Sequence, residues 1–83
     1  MNQIARTPKQ IGAIIQRERK RSNLSQRELA ERAGITQKLV SKIEAGNDGT
    51  RIETICGLFA ALGLELVAAT RSRSSAQDIE DIF

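Results

Sequence analysis

Gln37, Lys38, Ser41 and Lys42 stand together in the stretch "TQKLVSKIEAG". They offer an amide that both donates and accepts, two ammonium groups and a hydroxyl, a set suited to reading base edges or holding phosphates. They offer no nucleophile with a base beside it. The chain has no His, a single Cys, no glycine-rich phosphate loop and no carboxylate pair with a pocket to share. Catalysis is therefore not expected, and neither is a cofactor or a metal. Cys56 lies in an apolar run and reads as a small buried thiol; with no second Cys there is no disulfide framework, and a reduced, cytoplasmic setting is expected.

Those four side chains need a helix that turns them outward. At about 100° per residue, Val40 and Ile43 point inward with Glu44 beside them, while Lys38, Ser41, Lys42 and Ala45 fall on the other side. Thr36 caps this helix and Gln37 sits at its exposed start. Leu39 lies at the boundary, where a thymine methyl contact and simple packing both fit. The preceding helix opens with a capping box, Ser25-Gln26-Arg27-Glu28, turns Leu29, Ala30 and Ala33 inward, and closes at Gly34, the left-handed residue after the helix. Ile35 follows as a hydrophobic staple. The tight turn and the small Ala30 and Ala33 let the two helices cross closely, the pattern of a helix-turn-helix. A structural hairpin with a polar outer face is the bland alternative.

Two further helices must carry this pair. Thr7-Pro8-Lys9-Gln10 marks a helix start, with proline at the first position where its missing N–H costs nothing. Ile11, Ile14 and Ile15 form its apolar stripe. Arg17, Arg19, Lys20 and Arg21 gather near its negative end, as dipole complements on a solvated face or as anion contacts. Beyond the polar "NDG" turn, Thr50-Arg51-Ile52-Glu53 reads as another capping box. Its helix places Ile52, Ile55, Cys56, Phe59 and Leu62 on one face, with Leu58 and Ala61 beside them, and stops at Gly63. Arg51 either meets a phosphate or faces solvent. In "LELVAAT" the apolar residues alternate, so Leu64, Leu66, Val67 and Ala68 are expected in a short strand. A lone strand leaves both edges unpaired, and its copy in a second chain would complete it as a dimer. An extended segment packed on its own bundle is the alternative.

Charge and composition agree with a small helical body. All thirteen Lys and Arg, with seven of the ten acids, fall at or before Arg73, so this part carries +6; Asp78, Glu80 and Asp81 make the tail −3. A basic body suits a polyanion, although surface Lys and Arg also serve solubility. Phe59 and Phe83 are the only aromatics, which leaves few stacking surfaces for single strands. No segment approaches the roughly 20 apolar residues that span a bilayer, and no leader pattern opens the chain. The expected organisation is an arm at 1–6, a mainly α four-helix domain at 7–63, a dimerisation strand at 64–70 and a flexible tail at 71–83. In the tail, Ile79, Ile82 and Phe83 could form one apolar face of a short helix for a partner, or belong to a frayed end.

The run "LSQRELAERAGITQKLVSKIEAG" resembles the helix-turn-helix of the Cro and phage-repressor (XRE) superfamily, over about residues 8–63. Ser25, Gln26, Leu29, Ala30, Gly34, Ile35, Ser41, Ile43, Glu44 and Gly46 match its pattern. The resemblance implies a lambda-repressor-like fold closed by a C-terminal dimerisation strand. It further implies a phosphate contact at Gln26, to which Ser25 and Arg51 are added as phosphate candidates. It places Gln37, Lys38, Ser41 and Lys42 facing bases or nearby phosphates, with base reading as their expected role, and pairs Arg19 with Glu44 as a fold-specifying ion pair. The Thr-Pro start and the closing "LGLEL" are similar to HipB-type antitoxins. Those are dimers that bind inverted-repeat operator DNA, repress their own operon and hold a HipA-type kinase toxin inactive. A stand-alone repressor and an adaptor that does not bind DNA are the other readings.

Overall fold

The computed structural model describes residues 3–71, which form four helices: α1 (Pro8–Arg21), α2 (Gln26–Ala33), α3 (Gln37–Glu44) and α4 (Ile52–Ala61). Local chemistry explains most boundaries. The Thr7 hydroxyl accepts from the Gln10 N–H at the start of α1, with Pro8 in the first turn. At α2 the capping box is complete: the Glu28 N–H donates to Ser25 Oγ at 3.0 Å and the Ser25 N–H donates to Glu28 Oε1 at 2.9 Å. Gly34 follows at φ 70°, a left-handed turn that costs glycine little. The Ile35 N–H then reaches back to the Ala30 carbonyl at 3.0 Å, and Thr36 caps α3 through the Leu39 N–H at 3.1 Å.

α3 packs on both α1 and α2, and α4 packs on α2. Ile14, Ile15, Leu29, Ala30, Val40, Ile43, Ile55, Leu58 and Phe59 form one buried cluster, with Ile15, Leu29, Val40 and Leu58 fully enclosed. Burying each of these larger side chains is worth about 1.5–3 kcal/mol relative to exposure. Two glycines let the end of α3 approach α1. A Cβ on Gly12 would stand 2.2 Å from the Ile43 carbonyl oxygen, and one on Gly46 would stand 2.9 Å from Lys9 Cα. No side chain fits at either place.

α4 departs from the sequence expectation in three ways. Its cap residue is Arg51, with no side-chain cap bond, so the Thr50–Glu53 capping box does not form. Cys56 is exposed and Ile52 is 69% exposed. The buried stripe is Ile55, Leu58 and Phe59, with Leu62 half-buried. Cys56 and Leu58 are two positions apart, about 200° round the helix, so both cannot face α2. Leu58 has more apolar surface to bury and takes the core.

The chain beyond α4 also differs. Gly63 is left-handed at φ 72°, and the Leu64 N–H donates to the Phe59 carbonyl at 2.7 Å. Leu64 is thereby turned back, half-buried, onto the core. No strand occurs among the described residues, and 64–71 carry no regular structure. The physical reason is that a strand needs a ladder partner, and the described residues supply none. The described part of the arm is tied down: Gln3 donates to Glu18 Oε2 at 3.1 Å and accepts from Arg17 on α1.

Candidate nucleic-acid interface

α3 holds its outward side chains on a rigid base. Val40 and Ile43 are buried beneath the helix, and Gln37, Lys38, Ser41 and Lys42 are all exposed above it. Leu39 is half-buried and packs against the core. The one acid of α3, Glu44, faces inward and is neutralised there by Arg19. The outward surface of α3 consequently presents two positive charges and no negative one, beside the Gln37 amide at its start and the Ser41 hydroxyl a turn further on.

The ion pair is bidentate. Arg19 Nε donates to Glu44 Oε2 at 2.6 Å and Nη2 donates to Oε1 at 3.1 Å, while Nη1 donates to the Leu24 carbonyl at 2.8 Å. The two side chains are 10% and 2% exposed. Of the four cations at the end of α1, this one is taken inside and Arg17, Lys20 and Arg21 remain exposed. The pair joins the end of α1 to the end of α3.

Gln26 joins the same cluster. Its Nε2 donates to Glu44 Oε1 at 3.1 Å from the first turn of α2, where the side chain is half-buried. Sequence reasoning placed Gln26 only at a phosphate and missed this bond. The signal was faint: a polar residue adjoining a cap gives no hint of a partner eighteen positions away. Ser25, exposed at the cap, accepts the Glu28 N–H at its hydroxyl oxygen. The Ser25 backbone N–H, then its hydroxyl, hold the Glu28 carboxyl below the usual carboxylate range.

Arg51 is exposed at the start of α4 and shares a groove with Lys42, lined also by Leu39, Asn47 and Thr54. The two cations come from different helices. Sequence spacing could not bring them together, because the 47–50 turn sets their approach. Backbone N–H groups at the α4 start add donors to the same edge. Ser25, Gln26, the α3 face and Arg51 thus belong to the helix-turn-helix and the turn after it.

Leu64, Leu66, Val67 and Ala68 do not form one face. Leu64 packs on the core, while Leu66 is 49% and Val67 68% exposed, and Ala68 is exposed. Ile79, Ile82 and Phe83 lie outside the described residues. No described helix is long and apolar enough to cross a membrane.

A family model described as helix-turn-helix matches residues 15–68. A comparison with curated proteins gave no match. Among solved structures, one described as a HipA-HipB-O2-O3 complex aligns with TM-score 0.78 at 25% identity, covering 86% of this chain and 100% of that chain. A HipB-O4 20mer complex aligns with TM-score 0.79 at 25% identity, with the same coverage. A HipB-O1-O2 complex gives TM-score 0.76 at 26% identity, covering 83% of this chain and 100% of that one.

Proposed function

The chain belongs to the helix-turn-helix family, XRE type and HipB-like, and from that membership we propose that it is a sequence-specific DNA-binding repressor acting as an antitoxin. The observation that carries the reading is the face of α3: Gln37, Lys38, Ser41 and Lys42 exposed above buried Val40 and Ile43. A helix so anchored and so furnished fits the major groove, where Gln pairs with adenine and Lys with the guanine acceptors. Gln37 and Lys38 take the first base contacts, Ser41 and Lys42 the next. Ser25, Gln26 and Arg51 hold phosphates on either side and set the register.

A homodimer pairing through 64–70 would set two copies of α3 in successive major grooves, about 34 Å apart on an inverted repeat. The exposed Leu66 and Val67 support this, as does the absence of a ladder partner among the described residues. The similar solved complexes contain HipB with O elements, and one of them also HipA. A HipA-type kinase is accordingly the proposed protein partner, with Ile79, Ile82 and Phe83 as candidate contacts.

The test is selection of bound duplexes from a random pool at moderate salt. Recovery of an inverted repeat is the expected result. A pool that stays random, with binding insensitive to salt, would instead favour a protein adaptor, since neutralising each phosphate lowers log affinity by about 0.9 per unit of log salt. Copurification with a kinase-like product of the adjoining gene tests the antitoxin part separately.

A further inference from the structure

Glu44 serves two partners through three hydrogen bonds. Arg19 takes Oε2 through Nε and reaches Oε1 through Nη2, and the Gln26 amide nitrogen meets the same Oε1 at 3.1 Å. The carboxylate is 2% exposed, whereas Gln26 is only half-buried. An ion pair with Arg19 alone would balance the charge. The bond to Gln26 does something more: it chooses which end of the amide faces inward. With the amide reversed, its carbonyl oxygen would stand against a carboxylate and gain no hydrogen bond. Its donor end is thus turned to Glu44, and the amide keeps a second N–H and its own oxygen for other partners.

We propose that Glu44 is a positioning residue for duplex binding, holding the Gln26 amide in one orientation so that its second N–H meets a backbone phosphate already ordered. The inference rests on the DNA reading above. Glutamine is among the side chains with most rotamer freedom to lose, and a donor ordered before binding avoids that loss at the moment of contact. The arrangement also links two tasks in one carboxylate. Glu44 ends α3, whose outer face is proposed to read bases, and it sets the phosphate donor at the start of α2.

The test separates the latch from the ion pair. In Arg19→Met/Glu44→Gln the charges are gone but an acceptor oxygen remains for Gln26; in Arg19→Met/Glu44→Leu the acceptor is gone too. Affinity for a random-sequence 20-base-pair duplex at low salt is the readout, because a phosphate contact does not depend on sequence. The Gln variant should bind within about twofold of wild type, while the Leu variant should bind about tenfold more weakly, as expected for one lost hydrogen bond to a charged group. Adding Gln26→Ala should then weaken the Gln variant about tenfold and leave the Leu variant unchanged. Equal affinity of the two double variants, or equal effects of Gln26→Ala on both, overturns the positioning role while leaving the DNA reading in place. Failure of the wild type to bind any duplex overturns the DNA reading and this inference with it.

Nitrogen-15 relaxation of the Gln26 side-chain amide in the wild-type protein needs no substitution. An order parameter near the rigid-backbone level of about 0.85 is expected, and one below about 0.6 overturns the latch.

Discussion

Gly12 in α1 lies directly beneath the Ile43 carbonyl at the end of α3, where an added Cβ would stand 2.2 Å from that oxygen. The contact explains a glycine in the middle of a helix. By helix propensity alone, Gly12→Ala should stabilise by about 1 kcal/mol. The obstacle here is a backbone oxygen that cannot swing aside, and overpacking of this kind costs typically about 1–3 kcal/mol, so the variant should be less stable. Gly57, also helical, has open space where its Cβ would be. Gly57→Ala should gain about 0.5–1 kcal/mol. Urea denaturation of both variants checks the contrast, and two changes of the same sign would contradict it.

Arg19 and Glu44 should be costly to break and cheap to replace together. Arg19→Met or Glu44→Ala alone leaves a buried charge without its partner and should cost about 3–5 kcal/mol, whereas Arg19→Met/Glu44→Leu should lie much nearer wild type. Thermal melts of the three variants decide the matter. Additive single effects would show that the residues do not act as a pair.

Acid should weaken the start of α2. The carboxyl of Glu28 has its pKa lowered in the fold by bonds from Ser25. A lowered folded-state value means stability that is present above the ordinary glutamate range and lost as pH falls through the folded value. Wild type should therefore lose more melting temperature on acidification than Glu28→Gln, which cannot titrate. Parallel curves for the two proteins from neutral to acid pH would rule out this contribution.

Gln37 and Arg51 should fail differently on DNA. Gln37→Ala should relax preference at one position per half-site by about 1–3 kcal/mol. Arg51→Ala should weaken all sequences alike and reduce the salt slope by about 0.9. Competition binding with single-base variants of the selected site, repeated over a salt series, distinguishes them. Uniform loss from both changes would remove Gln37 from base reading.

Leu66 and Val67 should hold the proposed dimer. Both are exposed in the single chain. Leu66→Lys/Val67→Lys should shift sedimentation from dimer to monomer while the helical circular dichroism is kept. A wild type that sediments as a monomer would refute the pairing.

The helix-turn-helix was legible because its signals are local. Ser25 with Glu28, Gly34 and Thr36 each act within a few residues, and the 3.6-residue period alone puts Val40 and Ile43 on the face opposite Lys38, Ser41 and Lys42, with Gln37 at the exposed start. The fourth helix was less legible. Its residues are nearly all apolar from Ile55 to Leu62, so periodicity could not choose between Cys56 and Leu58, and the choice fell to the surface of α2. The expected strand at 64–70 does not form among the described residues, because alternation of apolar residues signals a strand only where a ladder partner exists.

By itself, then, the sequence determined where α2 and α3 begin and end and which side of α3 meets water, because caps, turns and helical periodicity are properties of neighbouring residues. Only the tertiary structure decided that Gly12 admits α3, that Cys56 stays outside, and that Gln26 and Arg19 share Glu44. Each of those outcomes depends on the distance between helices, and that distance is set by packing across the whole core.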